Sequence, residues 1–307
     1  MPPTVKTENK YGLDWVLLNN RWYCVQNYSP THLADGTPIP IVTGNATWAG
    51  LTTPARCVYN NSDDAEFIAK YGYLYNWHGV EEGLEMPFAG CVVPSAQEWA
   101  DLENWMIANG FNWDGTTEGN KIGKALASDG GEWASSQTAG HIGNDQPSNN
   151  SSGFTALPGG FRSDANGTFN NLTIVGYLWL SSGTAADGYR VLISRNAEGI
   201  SADLRAKGLG LSIRISATAP IVTYNSTGGS AVADEVTFIG ELATEPTTPT
   251  RAGFNFNGWF ADAELTTPWD FATDTVDADT TLYAGWVERK KSAGSRIGTG
   301  IGIGIGI

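Results

Sequence analysis

The groups in this 307-residue chain that could do chemistry are few and scattered. His32, His78 and His141 lie far apart, without the paired spacing of a zinc site, so structural or surface roles are the better reading. Cys24, Cys57 and Cys91 are an odd number with no CxxC spacing. A catalytic thiol also needs a base and an orienting group, and no motif supplies them. Asn144-Asp145, Asp164 and Asn166 offer oxygens in loops, but a hard cation needs six or more from several segments. Solvated loop polars are the preferred reading, with a structural calcium ion as the alternative. The expectation is a non-enzymatic chain with no cofactor.

Positioning falls to a run of unusual composition. Ser151-Ser152-Gly153-Phe154-Thr155-Ala156-Leu157-Pro158-Gly159-Gly160-Phe161-Arg162-Ser163 holds three glycines and a proline among apolar residues. Glycine reaches positive φ freely and proline removes a donor, so the run reads as a buried loop of fixed shape. Around it, Tyr11 to Gln26 reads as a strand pair and Asp63 to Tyr71 as a short helix capped by Asp63 or Asp64. Ser95 to Asn109 is the clearest helix: Ser95 with Glu98 makes a capping box, Trp99, Leu102, Trp105 and Met106 form a stripe, and Gly110 stops it. Lys121 to Leu126 suits a helical turn. From Gly176 to Ser216 three runs alternate with period two, which predicts half-buried antiparallel strands.

Composition narrows the class. A hydrophobic content of 41%, a charged content of 16%, 38 glycines and 12 tryptophans suit loop-rich β proteins with recognition surfaces. The net charge of −14 argues against a nucleic-acid partner. No run of 18 apolar residues predicts a membrane span. The first ten residues lack an apolar signal core and read as a polar arm, which points to synthesis in the cytosol. The last residues turn basic and then alternate Ile with Gly. Alternation puts every Ile on one face of a strand and leaves the other bare, as strand addition to a partner or self-association requires. Arg289, Lys290, Lys291 and Arg296, with Ile297, Ile301, Ile303, Ile305 and Ile307, are the expected attachment residues, contacting an acidic neighbour.

Five blocks in order carry a resemblance: Asp35-Gly36-Thr37-Pro38-Ile39-Pro40, Val58-Tyr59-Asn60-Asn61, Tyr71-Gly72-Tyr73-Leu74-Tyr75-Asn76-Trp77, the Ser151–Ser163 run, and Gly176-Tyr177-Leu178-Trp179-Leu180-Ser181-Ser182. From about Tyr11 to Ser216 the chain resembles the Fibrobacter succinogenes major paralogous domain. The resemblance implies a C-type-lectin-like fold of bacterial surface proteins, related to variable receptor-binding domains. Related domains carry a cysteine pair near the positions of Met86 and Ile215, so an apolar pair stands here for a disulfide, which suits a reducing compartment. The run Asn112-Trp113-Asp114 has the wrong order and place for the calcium-ligand run of lectins. The related receptor-binding domains imply that Gly176 to Arg214 contacts the partner, through Trp179, Tyr189, Arg190, Arg195, Asp203, Arg205 and Lys207. Aromatic and arginine residues are common in interface hot spots. For Trp179 and Tyr189 a place in the core is the competing role.

After Ala217-Thr218-Ala219-Pro220 the text changes. Val222-Thr223-Tyr224-Asn225, Pro249 to Phe260, Trp269-Asp270-Phe271 and Thr281 to Trp286 resemble one Listeria–Bacteroides repeat, which implies a small β-grasp-like spacer or adhesive module. Phe254, Phe256, Trp259, Phe260, Trp269, Phe271, Tyr283 and Trp286 can fill its core.

The expected fold is α+β and β-rich: an arm at 1–10, a C-type-lectin-like domain at 11–216, a linker at 217–220, a β-grasp-like domain at 221–287 and an extended Gly/Ile tail at 288–307. The first functional expectation is a recognition or decoration protein on the surface of a phage or similar particle. It would be made in the host cytoplasm, bind a host-surface glycan or protein, join other virion proteins through the tail and form a homo-oligomer. The second is a bacterial cell-surface adhesin; the third, an enzyme on a formylglycine-generating-enzyme-like fold.

Overall fold

The computed structural model describes residues 5–290. The chain divides into two compact units, one running to Ala219 and taking in Phe238–Gly240, the other made of Pro220–Thr237 and the chain from Glu241. The described chain is rich in strands, with few helices.

The first unit holds a five-stranded sheet in the order Lys6–Lys10, Leu13–Leu18, Arg21–Cys24, Ser216–Thr218, Cys91–Val92. Leu13–Leu18 and Arg21–Cys24 make a hairpin whose two turn residues, Asn19 and Asn20, both have positive φ (49° and 55°). That turn matches the right-handed twist of its strands, and asparagine tolerates it. Both faces of the hairpin are covered. Val16, Leu18 and Tyr23 join the main core, while Trp15 and Trp22 pack against Phe238, whose ring stacks on Trp22 at 4.6 Å.

A four-stranded sheet follows, ordered Ile200–Ala206, Asp187–Ser194, Val175–Gly183, Ser212–Ile213. Its Leu178, Leu180, Val191 and Ile193 meet Trp99, Leu102 and Met106 of the helix Ala96–Ala108 in the main core. That helix starts as its sequence dictates. Ser95 Oγ accepts from Glu98 N at 3.2 Å, and Glu98 accepts from Ser95 N at 2.7 Å. Asp64 caps Ala65–Tyr71 by accepting from Glu66 N and Phe67 N. Gly123–Leu126 is the expected helical turn.

The Ser151–Ser163 run is held by two buried arginines that have no carboxylate partner among the described residues. Arg214, 1% exposed, donates to the carbonyl oxygens of Cys24, Phe154 and Thr155 and to Asn27 Oδ1. Arg162 donates to the carbonyls of Val42, Thr43 and Gly167 and to Asn45 Oδ1, and lies 4.6 Å from the Trp48 ring. A guanidinium has five donors in a fixed fork, so several loop carbonyls can replace an acid. Burial lowers the Arg214 pKa to about 10, which leaves it charged at neutral pH.

Three segments differ from expectation. Lys6–Lys10, read as arm, pairs with Leu13–Leu18 as an edge strand, and its lysines and glutamate suit an edge that must resist further pairing. The alternating run Leu209–Ile215 is not a half-buried antiparallel strand. Ser212–Ile213 pairs parallel to Leu178–Trp179, and Ser212 and Arg214 are as buried as Leu211 and Ile213. The polar members of that run are held inside instead of facing water: Arg214 donates to carbonyls and Ser212 Oγ accepts from Asn27 Nδ2. Ala217 and Thr218, read as linker, sit in the strand between Arg21–Cys24 and Cys91–Val92.

The second unit has a four-stranded sheet in the order Glu235–Val236, Ile221–Asn225, Thr280–Glu288, Phe254–Phe260. Ile221–Asn225 and Thr280–Glu288 run parallel. Its core joins Val222, Tyr224, Trp259, Val276 and Leu282, with Phe256, Trp269, Phe271 and Trp286 packed around them. Phe260 is buried too, while Phe254 and Tyr283 are half-buried.

Candidate recognition face

Asp187–Ser194 and Ile200–Ala206 pair with Arg190 opposite Asp203 and Gly188 opposite Arg205. Successive side chains on a strand point to opposite faces. Tyr189 therefore leaves on the other face from Arg190, and it packs against the main core with Val191 and Ile193. The face opposite that core carries a charged cluster. Arg190 Nε donates to Asp203 Oδ1 at 3.0 Å, and Arg205 reaches the other oxygen at 2.6 Å. The Arg190 guanidinium lies 4.1 Å from the Tyr177 ring, and Tyr177 meets Phe161 edge-on at 5.6 Å. The cluster thus rests on the proline–glycine run through two aromatic rings.

The seven candidates are placed unequally. Arg190, Asp203 and Arg205 come together, with Arg205 at 49% and Asp203 at 36% side-chain exposure. Trp179 is fully buried, its indole N–H donating to Tyr75 O at 2.8 Å, so a partner cannot reach it. Lys207 is 8% exposed, holds both Glu81 oxygens at 2.7 and 2.8 Å and lies 4.8 Å from the Trp77 ring. Arg195 donates to Ser135 O at 2.7 Å. Arg289 donates to Phe254 O and Asn255 Oδ1 within the second unit, and Lys290 is exposed. Lys291, Arg296, Ile297, Ile301, Ile303, Ile305 and Ile307 lie outside the described residues. Tyr177, Phe161 and Arg162 were not among the sequence candidates. Alternation with Leu178 was the available signal for Tyr177, since it puts Tyr177 on the Arg190 face.

The groups considered for metal or nucleophilic chemistry are separately engaged. His32 Nδ1 lies 3.7 Å from Glu85, His78 lies 3.9 Å from Glu81, and His141 contacts Ser136 Oγ at 3.0 Å. Burial, with help from Lys207, pushes the His78 pKa down, favouring the neutral ring. Cys24, Cys57 and Cys91 are free and buried, and burial raises all three thiols, Cys57 and Cys91 to about 12. A buried protonated thiol is a poor nucleophile. Among the described residues no three His, Cys, Asp or Glu side chains are grouped to hold a metal ion. The Lys124 ammonium takes the carbonyl oxygens of Asn144 and Asp145, and Asn166 Oδ1 accepts from Thr168. Ile215 is buried and Met86 half-buried, at the positions where the resemblance implies a cysteine pair. Among the described residues no helix is long and apolar enough to cross a membrane.

Comparison with known proteins agrees with the two-part layout. The Listeria-Bacteroides repeat domain profile matches residues 221–285. Over 65 residues the chain is 48% identical to a protein of Evansella cellulosilytica named "Putative Gly-rich membrane protein", covering 21% of this chain and 8% of that protein. Internalin H of Listeria monocytogenes is 53% identical over 45 residues, 14% of this chain and 8% of internalin H. The chain thus spans under a tenth of these relatives' length. The larger match, to the Fibrobacter succinogenes major domain, takes in residues 16–215 and with them the four-stranded sheet, the capped helix, the proline–glycine run and the Arg190–Asp203–Arg205 cluster. The chain belongs to the Fibrobacter succinogenes major domain family, with one Listeria-Bacteroides repeat following that domain.

Proposed function

We propose that this chain is a non-enzymatic recognition protein of a bacterial cell surface, an adhesin. The observation that carries the reading is the repeat at 221–285, together with the 45 residues that are 53% identical to internalin H. The phage-particle expectation finds no support in these relatives, so the cell-surface alternative is the one retained. In this reading the first unit is C-type-lectin-like and displays the binding face, and the second is a β-grasp-like spacer. The pairing of Ser216–Thr218 beside Arg21–Cys24 supports the first assignment, because it brings both ends of the domain into one sheet. The mixed sheet with its parallel Ile221–Asn225 and Thr280–Glu288 pair supports the second.

Arg205 and Asp203 are the exposed members of the proposed contact, and Arg190 holds Asp203 in place from below. The basic and Ile/Gly segment from Arg289 to Ile307 is proposed as the attachment tail, through which copies of the chain join each other or an acidic neighbour.

The test is antibody labelling of intact bacteria producing the chain, with and without protease shaving, followed by binding of purified chain to candidate host surfaces. Surface labelling that shaving removes, with binding weakened by Arg205→Glu, is the expected result. A chain found solely in the cytosol of intact cells overturns the reading.

A further inference from the structure

Twelve tryptophans occur in the sequence, all within the described residues, and Trp113 is the one classed as exposed, at 41%. A tryptophan has more apolar surface to hide than any other side chain, so leaving one open forfeits burial that eleven others obtain. Trp113 is not a loose tip. Its indole is seated on Gly140, where an added Cβ would lie 2.4–2.7 Å from Cε2, Nε1 and Cζ2. Gly140 has φ +81°, a conformation that side chains rarely adopt. The backbone of Trp113 is fixed as well, donating to Lys121 O at 3.2 Å.

The ring borders a groove of about 560 Å³. The rest of its lining is mixed: Phe111, Ala125 and Ala139 are apolar, and Asn144, Asp145, Ser148 and Ser151 bring polar groups beside Lys124. Lys124 is 7% exposed, and its ammonium is held by the carbonyl oxygens of Asn144 and Asp145. Asn112, behind the ring, is 4% exposed, donates to Glu118 O and Gly119 O and accepts from Lys121 N. Asp114 is paired with Lys121 and Thr116. The groove therefore offers an aromatic plane and small apolar neighbours beside amide, hydroxyl and carbonyl groups, with one ammonium, Lys124, and one carboxylate, Asp145, of opposite charge.

We infer that this groove is a binding site for a neutral saccharide. The C–H face of a pyranose ring is weakly positive and matches the negative face of an indole. The hydroxyls at the ring's edge need donors and acceptors at fixed places, which Asn144, Asp145, Ser148 and Ser151 supply. An acidic glycan would meet a chain of net charge −14. The inference rests on the adhesin reading and names its ligand class, at a place apart from the Arg190–Asp203–Arg205 cluster.

The experiment titrates the full chain with cellotetraose, maltotetraose and N,N′,N″,N‴-tetraacetylchitotetraose, followed by saturation-transfer NMR and tryptophan fluorescence. Trp113→Ala is expected to weaken binding of the best sugar by about tenfold or more, Trp113→Phe by less, and Gly140→Ala to weaken it by unseating the ring. The melting midpoint of Trp113→Phe should stay within about 2 °C of the parent, because a ring still covers Gly140. If none of the three sugars binds, or Trp113→Ala binds as well as the parent, the inference is overturned. Adhesion to a host surface that survives periodate oxidation of that surface also overturns it while sparing the adhesin reading. Absence of adhesion to any surface, with a sugar still bound at Trp113, overturns the adhesin reading alone.

Discussion

Arg214 joins parts of the first unit that are far apart in sequence. Its guanidinium satisfies carbonyls from Cys24, Phe154 and Thr155, and each would be a buried unpaired acceptor without it. Leaving a buried acceptor unsatisfied costs about 1–3 kcal/mol. Arg214→Lys keeps the charge but cannot span the fork, so chemical denaturation should show a loss of at least about 3 kcal/mol. The cysteines make a second residue-scale prediction. Burial holds Cys57 and Cys91 near 12 against an ordinary 9.0, so native chain at pH 8 should release almost no colour with Ellman's reagent and three equivalents after guanidinium. The linkage has a definite sign. Between pH 9 and 12 the unfolded chain gives up thiol protons that the folded chain keeps, so the melting midpoint should fall across that window. Reductant at neutral pH should leave it unchanged, since the three thiols are free.

Among the elements, the helix Ala96–Ala108 is the one whose local code and tertiary role coincide. The capping box fixes its start, and the stripe of Trp99, Leu102 and Met106 fixes the face that meets both sheets. Ser95→Ala removes one half of the box and should cost about 1 kcal/mol by thermal or urea melting. A loss no larger than that of Gln97→Ala, a change on the exposed side of the same helix, would show that Arg21, which contacts Glu98 at 2.8 Å, holds the start instead. The Ile200–Ala206 strand illustrates the opposite case. It forms the sheet edge and carries Asp203 and Arg205, and its exposed pattern gives it little burial of its own. Its place depends on pairing with Asp187–Ser194, so its amides should exchange faster with deuterium than those of Val175–Gly183.

For the whole molecule, the division by contacts does not follow the division by sequence. Phe238 lies inside the stretch matched by the repeat, yet it counts with the first unit and is 4% exposed against Trp22 and Trp15. Phe238→Ala should cost about 3–5 kcal/mol, and deuterium exchange should locate the loss in the hairpin Leu13–Cys24. Trp259→Ala should cost a similar amount, with the loss located in the strands around Tyr224 and Ala284, which its ring and backbone meet. Exchange changes confined to Phe254–Phe260 in both variants would refute the assignment of Phe238.

What the sequence by itself determined follows from short-range chemistry. Ser95 with Glu98, Asp64 before Ala65, and Asn19-Asn20 between two apolar strands each specify their element through contacts a few residues apart. The composition of Ser151–Ser163 announces a buried irregular run as far as Pro158, where glycine permits and proline fixes unusual backbone, but Gly159–Arg162 forms a strand paired with Phe169–Leu172 that the composition did not announce. The two-part layout was legible as well, through blocks of residues in order. What the tertiary structure decided is where polar groups at alternating positions end up. Arg190 and Arg214 both alternate with apolar neighbours, yet one pairs with Asp203 beneath an exposed strand and the other is sealed among loop carbonyls. Trp179 and Trp113 are alike in type, but one donates to Tyr75 inside the core and the other lies open on Gly140. Alternation fixes the face of a strand and says nothing of what covers that face. Coverage comes from segments more than a hundred residues away, such as the carbonyls of Cys24 above Arg214, and only folding brings them there.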